Sequence, residues 1–152
     1  QGPGGIPFTN EGAGGENYNT IFYVKESPLD ANTIYTGSDC GLVHVTTDGG
    51  KNWKNITPKE LEESQINSIE VSAFDIGVVY ISATRYKFND YASYTYKTTD
   101  NGLTWTSINK GVKQDDFIKV IREDKKNKNA IFKYRICSIF YILFTCCSCT
   151  TT

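Results

Sequence analysis

Thr46-Thr47-Asp48-Gly49-Gly50-Lys51-Asn52-Trp53 returns later in the chain as Thr98-Thr99-Asp100-Asn101-Gly102-Leu103-Thr104-Trp105. Both copies read hydroxyl, any residue, Asp, any residue, Gly, any residue, polar, Trp. The chemistry is that of a tight β-hairpin. An Asp carboxylate accepts hydrogen bonds from turn N–H groups, and Gly takes a positive φ at little steric cost. The Trp that opens the following strand is expected to bury its ring between neighbouring sheets and to need a partner for its indole N–H. Asp-Gly and Asn-Gly turns are common singly. Two copies in register within a longer repeat carry more information.

Working outward, each hairpin closes a run of short strands. In the first run Ile21-Phe22-Tyr23-Val24 leads to a turn at Ser27–Asn32, then Thr33–Thr36, a break at Ser38–Gly41, Leu42–Thr46, the hairpin, and Trp53–Ile56. The second run repeats that order: Ile66–Val71, a turn at Ser72–Asp75, Val78–Ile81, Tyr94–Thr98, the hairpin and Trp105. Ser27 and Ser72 are 45 residues apart, as are Tyr35 and Tyr80, while Trp53 and Trp105 are 52 apart. The surplus of 7 falls in a segment containing Arg85–Tyr91. A third run begins at Phe117-Ile118-Lys119-Val120-Ile121 and reaches Ala130-Ile131-Phe132, and Trp53 to Tyr80 and Trp105 to Phe132 are both 27 residues. Four antiparallel strands per 45–52 residues is the signature of a β-propeller blade. A β-sandwich would not require one hairpin to recur in register. The fold class expected is therefore all-β: an incomplete β-propeller of about two and a half four-stranded blades. Blades bury both faces on their neighbours, so a set this small should expose apolar faces where neighbours are missing.

Residues 1–15, with six Gly and two Pro, read as a linker, and 16–132 as blades. From 133 the pattern fails. Ile136–Thr152 carries no charge, and four of the five cysteines crowd into the last 16 residues. A frame-shifted end accounts for both the lost register and the odd composition. A lipidated or membrane-associated tail and a buried strand are the other readings; the fourteen residues Ile136–Cys149 fall short of the about 20 of a membrane helix. The absence of Met, even at position 1, reads as a processed or internal piece of a longer protein.

The 152 residues carry a net charge of −1 with mixed signs, which implies no nucleic-acid face. His44 is the sole His and alternates with Val43 and Val45, so it reads as a strand residue. With the cysteines placed as they are, no metal site and no cofactor are expected.

These residues resemble a known group. The two hairpins look like the Asp-box, or bacterial neuraminidase repeat. The run from Ser27-Pro28-Leu29-Asp30 through Ile34-Tyr35-Thr36-Gly37 to Trp53 is similar to blades of sortilin-like propellers and of bacterial glycosyl hydrolase-like relatives. Asp115-Asp116-Phe117-Ile118-Lys119-Val120-Ile121-Arg122-Glu123-Asp124 is similar too, so the resemblance covers about residues 16–132. It implies a propeller, an extracellular, periplasmic or luminal setting, and sites away from the Asp-boxes. It does not fix an activity, since Asp-boxes occur in sialidases, polysaccharide hydrolases, sorting receptors and photosystem assembly factors. Sialidase chemistry would need several Arg around a carboxylate; Arg85, Arg122 and Arg135 are the three present.

Topology then ranks the candidates. Thr46, Asp48, Gly50, Trp53, Thr98, Asp100, Gly102 and Trp105 are expected to brace the two hairpins, and no residue is assigned a catalytic role. In a meander, alternate turns share an end. The other end gathers the second-to-third loops with Asp39 and Arg85–Tyr91, and the inter-blade loops with Asp115 and Asp116. Arg85, Tyr86, Lys87, Asp90 and Tyr91 combine a guanidinium with rings, a chemistry for carboxylates or sugars, although a solvated loop whose Tyr rings pack on the blade edge is the plainer account. Asp39, Asp115 and Asp116 are candidates for the same ligand, or for one member of a glycosidase carboxylate pair. Solvated loop acids are the plainer account of those three. Arg122 and Glu123 are expected to form an ion pair. The function expected is an interaction scaffold for protein, peptide or glycan, packed against further blades; the alternative is a glycoside hydrolase on a complex polysaccharide.

Overall fold

β-branched and aromatic residues at alternate positions, punctuated by Asp, Gly and Ser turns, give strands throughout. The computed structural model describes residues 20–113, 116–128 and 130–135. The first sheet holds β1 (Ile21–Ser27), β2 (Asp30–Ser38), β3 (Val43–Thr46) and β4 (Lys54–Asn55), in the order β1-β2-β3-β4. The second repeats it with β5 (Gln65–Val71), β6 (Val79–Arg85), β7 (Asp90–Thr98) and β8 (Thr106–Ser107). The third pairs β9 (Ile118–Glu123) with β10 (Ile131–Arg135). All neighbours are antiparallel. The protein is all-β, two blades of a propeller and half of a third. β10 runs three residues past Phe132, where the sequence pattern places the end of the blades; the expected 1–15 linker and residues 136–152 of the expected tail lie outside the described residues.

The 45- and 52-residue offsets become a single geometry. Gly49 N–H donates to Asn32 O in the first blade and Asn101 N–H to Gly77 O in the second, both at 3.0 Å. Asn32 and Gly77 are 45 apart; Gly49 and Asn101 are 52 apart. The surplus of 7 is therefore inserted between them. It does not form a free loop. It lengthens the β6–β7 hairpin until Arg85 pairs with Asp90 across a single 3₁₀ turn, Tyr86–Phe88.

The core lies between sheets. Tyr35, Val43, Val45 and Ile56 of the first blade pack with Ile66, Ile69, Val79, Ile81 and Tyr96 of the second. A smaller cluster of Val78, Tyr80 and Ile121, with Ile108 and Ile131 packed on it, joins the second blade to the third. Two glycines permit the close approach. A Cβ on Gly37 would lie 2.4 Å from Ile66 Cγ2, and one on Gly102 would lie 2.6 Å from Ile56 Cβ. The outward face of the first sheet has no such partner among the described residues. Val24 is 59% exposed there, whereas Ile69, its counterpart 45 residues on, is fully buried.

The innermost strands β1, β5 and β9 each place a charged residue at a common register. Lys25 pairs across the ladder with Tyr35, Glu70 with Tyr80, and Arg122 with Phe132. Glu70 Oε2 stands 3.7 Å from both Lys25 Nζ and Arg122 Nη1. That corrects the pairing expected between Arg122 and Glu123. Successive strand side chains leave in opposite directions. Arg122 therefore turns to Glu70, Ser68 Oγ (2.8 Å) and Tyr23 OH (3.1 Å), while Glu123 accepts from Ser72 Oγ and Ala73 N–H, each at 3.0 Å.

Candidate functional site

The two Asp-box turns are hydrogen-bonded alike. Thr46 Oγ1 accepts from Gly50 N–H at 2.9 Å and donates to Asp48 Oδ1 at 2.8 Å; Thr98 does the same with Gly102 and Asp100, at 2.9 and 2.7 Å. Asp48 also accepts from Lys51 N–H, Asn52 N–H and the Asn52 amide, and Asp100 from Thr104 N–H and its hydroxyl. These bonds hold the carboxyls of both down to about 2, led by the Asn52 N–H for Asp48 and the Thr104 hydroxyl for Asp100. Their oxygens are occupied by the turn, and neither is placed to move a proton near neutral pH.

The two Trp residues are not equivalent in this chain. Trp105 is half-buried, packs on the inter-blade core and donates its indole N–H to Ile56 O of the first blade at 2.6 Å. Trp53 is 45% exposed and donates instead to Gly50 O of its own hairpin at 3.1 Å. It belongs to the first blade, whose outward face is uncovered among the described residues, so the burial expected for both rings holds for Trp105.

The opposite end gathers the other candidates. Arg85 Nη1 donates to Glu62 of the loop between β4 and β5, and Nε lies 3.3 Å from Asp90 Oδ2. The guanidinium also sits over Phe88 and Tyr94, 5.6 and 5.8 Å from their ring centres. Tyr94 OH donates to Asp90 Oδ2 at 2.6 Å, a bond that draws the Asp90 carboxyl below its ordinary value. Burial, reinforced by Asp90, pushes the Tyr94 phenol up to about 12. Arg85 is thus bracketed by two carboxylates within the protein.

Around that bracket the structure assembles a second layer. Tyr91 lies 6.4 Å from Phe117, ring centre to ring centre, and Tyr86 OH donates to Gln65 Oε1 at 3.4 Å. Gln65 Nε2 in turn donates to Asn67 Oδ1 at 3.0 Å, and Asn67 Nδ2 to Thr84 Oγ1 at 2.7 Å. Gln65, Asn67, Thr84, Tyr86, Phe117 and Lys119 line a notch of about 190 Å³. Arg85, Tyr86, Asp90 and Tyr91 all lie on the lengthened β6–β7 hairpin. Asp39 belongs to the first blade, where its Oδ1 accepts from Thr20 N–H at 2.9 Å. Asp116 is half-buried ahead of β9, its N–H donating to Lys113 O, and Asp115 lies outside the described residues. Glu62, Gln65, Asn67, Thr84 and Phe117 were not singled out from sequence. The signal available was two amides at i and i+2 of a strand, which places both on one face.

Comparison with known proteins bears on the fold. Curated protein sequences give no match. Among solved structures, "YCF48 bound to D1 peptide" aligns with a TM-score of 0.57 at 17% identity, over 76% of this chain and 33% of that one. A GH74 enzyme of Niastella koreensis aligns with a TM-score of 0.60 at 14% identity, over 78% of this chain and 21% of that one. An ancestral GH74 enzyme gives 0.54 at 18% identity, over 78% and 17%. The chain spans a third or less of these propellers, and at such identities the likeness establishes architecture. The Sortilin-Vps10 family model (sortilin, neurotensin receptor 3) matches residues 9–136. With that span covering all of the described blades and both Asp-boxes, the chain belongs to the Sortilin-Vps10 family.

Proposed function

We propose that these blades form part of a binding scaffold that takes a protein, peptide or glycan at the end opposite the Asp-boxes. The observation that carries this reading is the contrast between the two ends. At the Asp-box end the carboxylates are consumed by their own turns. At the other end a hairpin lengthened by seven residues sets Tyr86, Lys87, Phe88 and Tyr91 at the surface beside the Arg85–Asp90–Glu62 bracket. Exposed aromatics on a braced support are the usual make-up of a recognition surface. The peptide bound by one structural neighbour, YCF48, accords with this class of activity.

The test is a peptide and oligosaccharide array probed with the chain and four surface variants. Lys87→Glu and Tyr91→Ala alter the lengthened hairpin; Lys51→Glu and Leu103→Ser alter the Asp-box end. Binding that falls with the first pair and not with the second supports the reading. The reverse pattern overturns it.

A further inference from the structure

We propose that the notch between the second and third blades is a subsite for one ring of a neutral glycan. This rests on the scaffold reading and names a ligand class and a place for it. The notch is formed by the start of β5, the end of β6, the 3₁₀ turn and the start of β9, so it exists only where two blades meet. Its volume of about 190 Å³ is roughly six times the ~30 Å³ share of a water molecule in the liquid. That is room for a single ring, with the rest of a longer ligand lying outside.

The chemistry of the lining selects the class. Gln65, Asn67 and Thr84 are buried and linked in series, and the linkage leaves specific valences over. Both Asn67 amide hydrogens are spent, on Gln65 O and Thr84 Oγ1. Among the described residues, Gln65 has used one N–H on Asn67 and the Thr84 hydroxyl has only accepted, which leaves one N–H and one O–H to donate. Phe117 adds an apolar ring to the same wall, and Tyr86 a ring with a polar tip. Among the described residues of the lining Lys119 supplies the single charge, and none is a carboxylate. A row of neutral hydrogen-bonding groups beside an aromatic face complements a ring that has hydroxyls at its edge and C–H bonds on its face. An anionic ligand would find one solvated ammonium and no second cation, which argues for neutrality.

The test is calorimetric titration of the chain with cellohexaose, xylohexaose and mannohexaose, and with uncharged hexapeptides. The variants are Tyr86→Ala, which removes an exposed wall, and Thr84→Val, which keeps the shape and removes both the spare O–H and the acceptor of the Asn67 amide. Melting curves establish that each variant folds. Binding of a hexaose, weakened about tenfold by either substitution, is the expected result. Hexaose binding indifferent to both variants overturns the notch and leaves the scaffold reading standing. Peptides binding in place of hexaoses overturns the ligand class alone. Failure of both ligand sets to bind overturns the subsite and leaves the scaffold reading to be decided by the array.

Discussion

Trp105 of the second blade donates its indole N–H to the main-chain carbonyl of Ile56 in the first, at 2.6 Å. That bond crosses from one sheet to the next, so the Asp-box positions a residue whose partner is another blade. Trp53, at the same place in the first repeat, turns back on its own hairpin. Trp105→Ala should cost about 3–5 kcal/mol through the cavity and the stranded carbonyl. Trp53→Ala, from a half-exposed site, should cost about 1 kcal/mol. Urea denaturation monitored by circular dichroism compares them, and equal losses would contradict the inter-blade role.

Acid should weaken the Asp-boxes within a defined window. Asp48 and Asp100 are held at about 2 against an ordinary 3.8. A carboxyl depressed on folding contributes stability that is whole above the unfolded value and fades as pH falls through the folded one. Asp48→Asn/Asp100→Asn should therefore melt well below the wild type at pH 5, with the gap closing between about pH 4 and pH 2. Melting temperatures measured across that range decide the matter; parallel curves would refute it.

Glu70 sits between two cations from neighbouring blades, and among the described residues its buried Oε2 has no hydrogen bond. Glu70→Gln should destabilise by about 1–3 kcal/mol, and Glu70→Lys by about 3–5 kcal/mol, because reversal crowds three positive groups. Lys25 and Arg122 are each partly open to water, so the effect of Glu70→Gln should shrink in 1 M salt. Denaturation at low and high salt measures both. A Glu70→Lys variant as stable as the wild type would show that the column is not electrostatic in origin.

What could be read from the sequence follows the range of each interaction. The Asp-box is closed by atoms within four residues of one another, so Thr46, Asp48, Gly50 and their second copies were legible as chemistry. Strand order followed from the spacing of such turns. Partners between blades depend on ladder register, and register contains shifts at Glu26/Ser27 and at Ile66/Ser68 that no turn residue announces. Arg122 therefore looked like the partner of the adjacent Glu123, when register sets it on Glu70, 52 positions back. The candidate site divides likewise. Arg85 and Asp90 were visible as a local surplus, but Glu62 lies 23 residues earlier in a linker. Gln65 and Asn67 resemble ordinary strand residues until β9 closes the notch above them.

A close approach of two blades yields the last prediction. Gly37 is buried in β2 against Ile66 of β5, and an added Cβ would fall 2.4 Å from Cγ2 and 2.7 Å from Cβ of that side chain. The glycine's φ is not positive, so the constraint is space and not backbone conformation. Gly37→Ala should therefore destabilise by about 1–3 kcal/mol through overpacking. Ile66→Ala alone should cost about 2–5 kcal/mol by leaving a cavity. Together they should cost clearly less than the sum, since the new methyl enters space vacated by the lost branch. A double-mutant cycle from equilibrium denaturation gives the coupling directly, and additive losses would mean that the sheets separate to admit the methyl group.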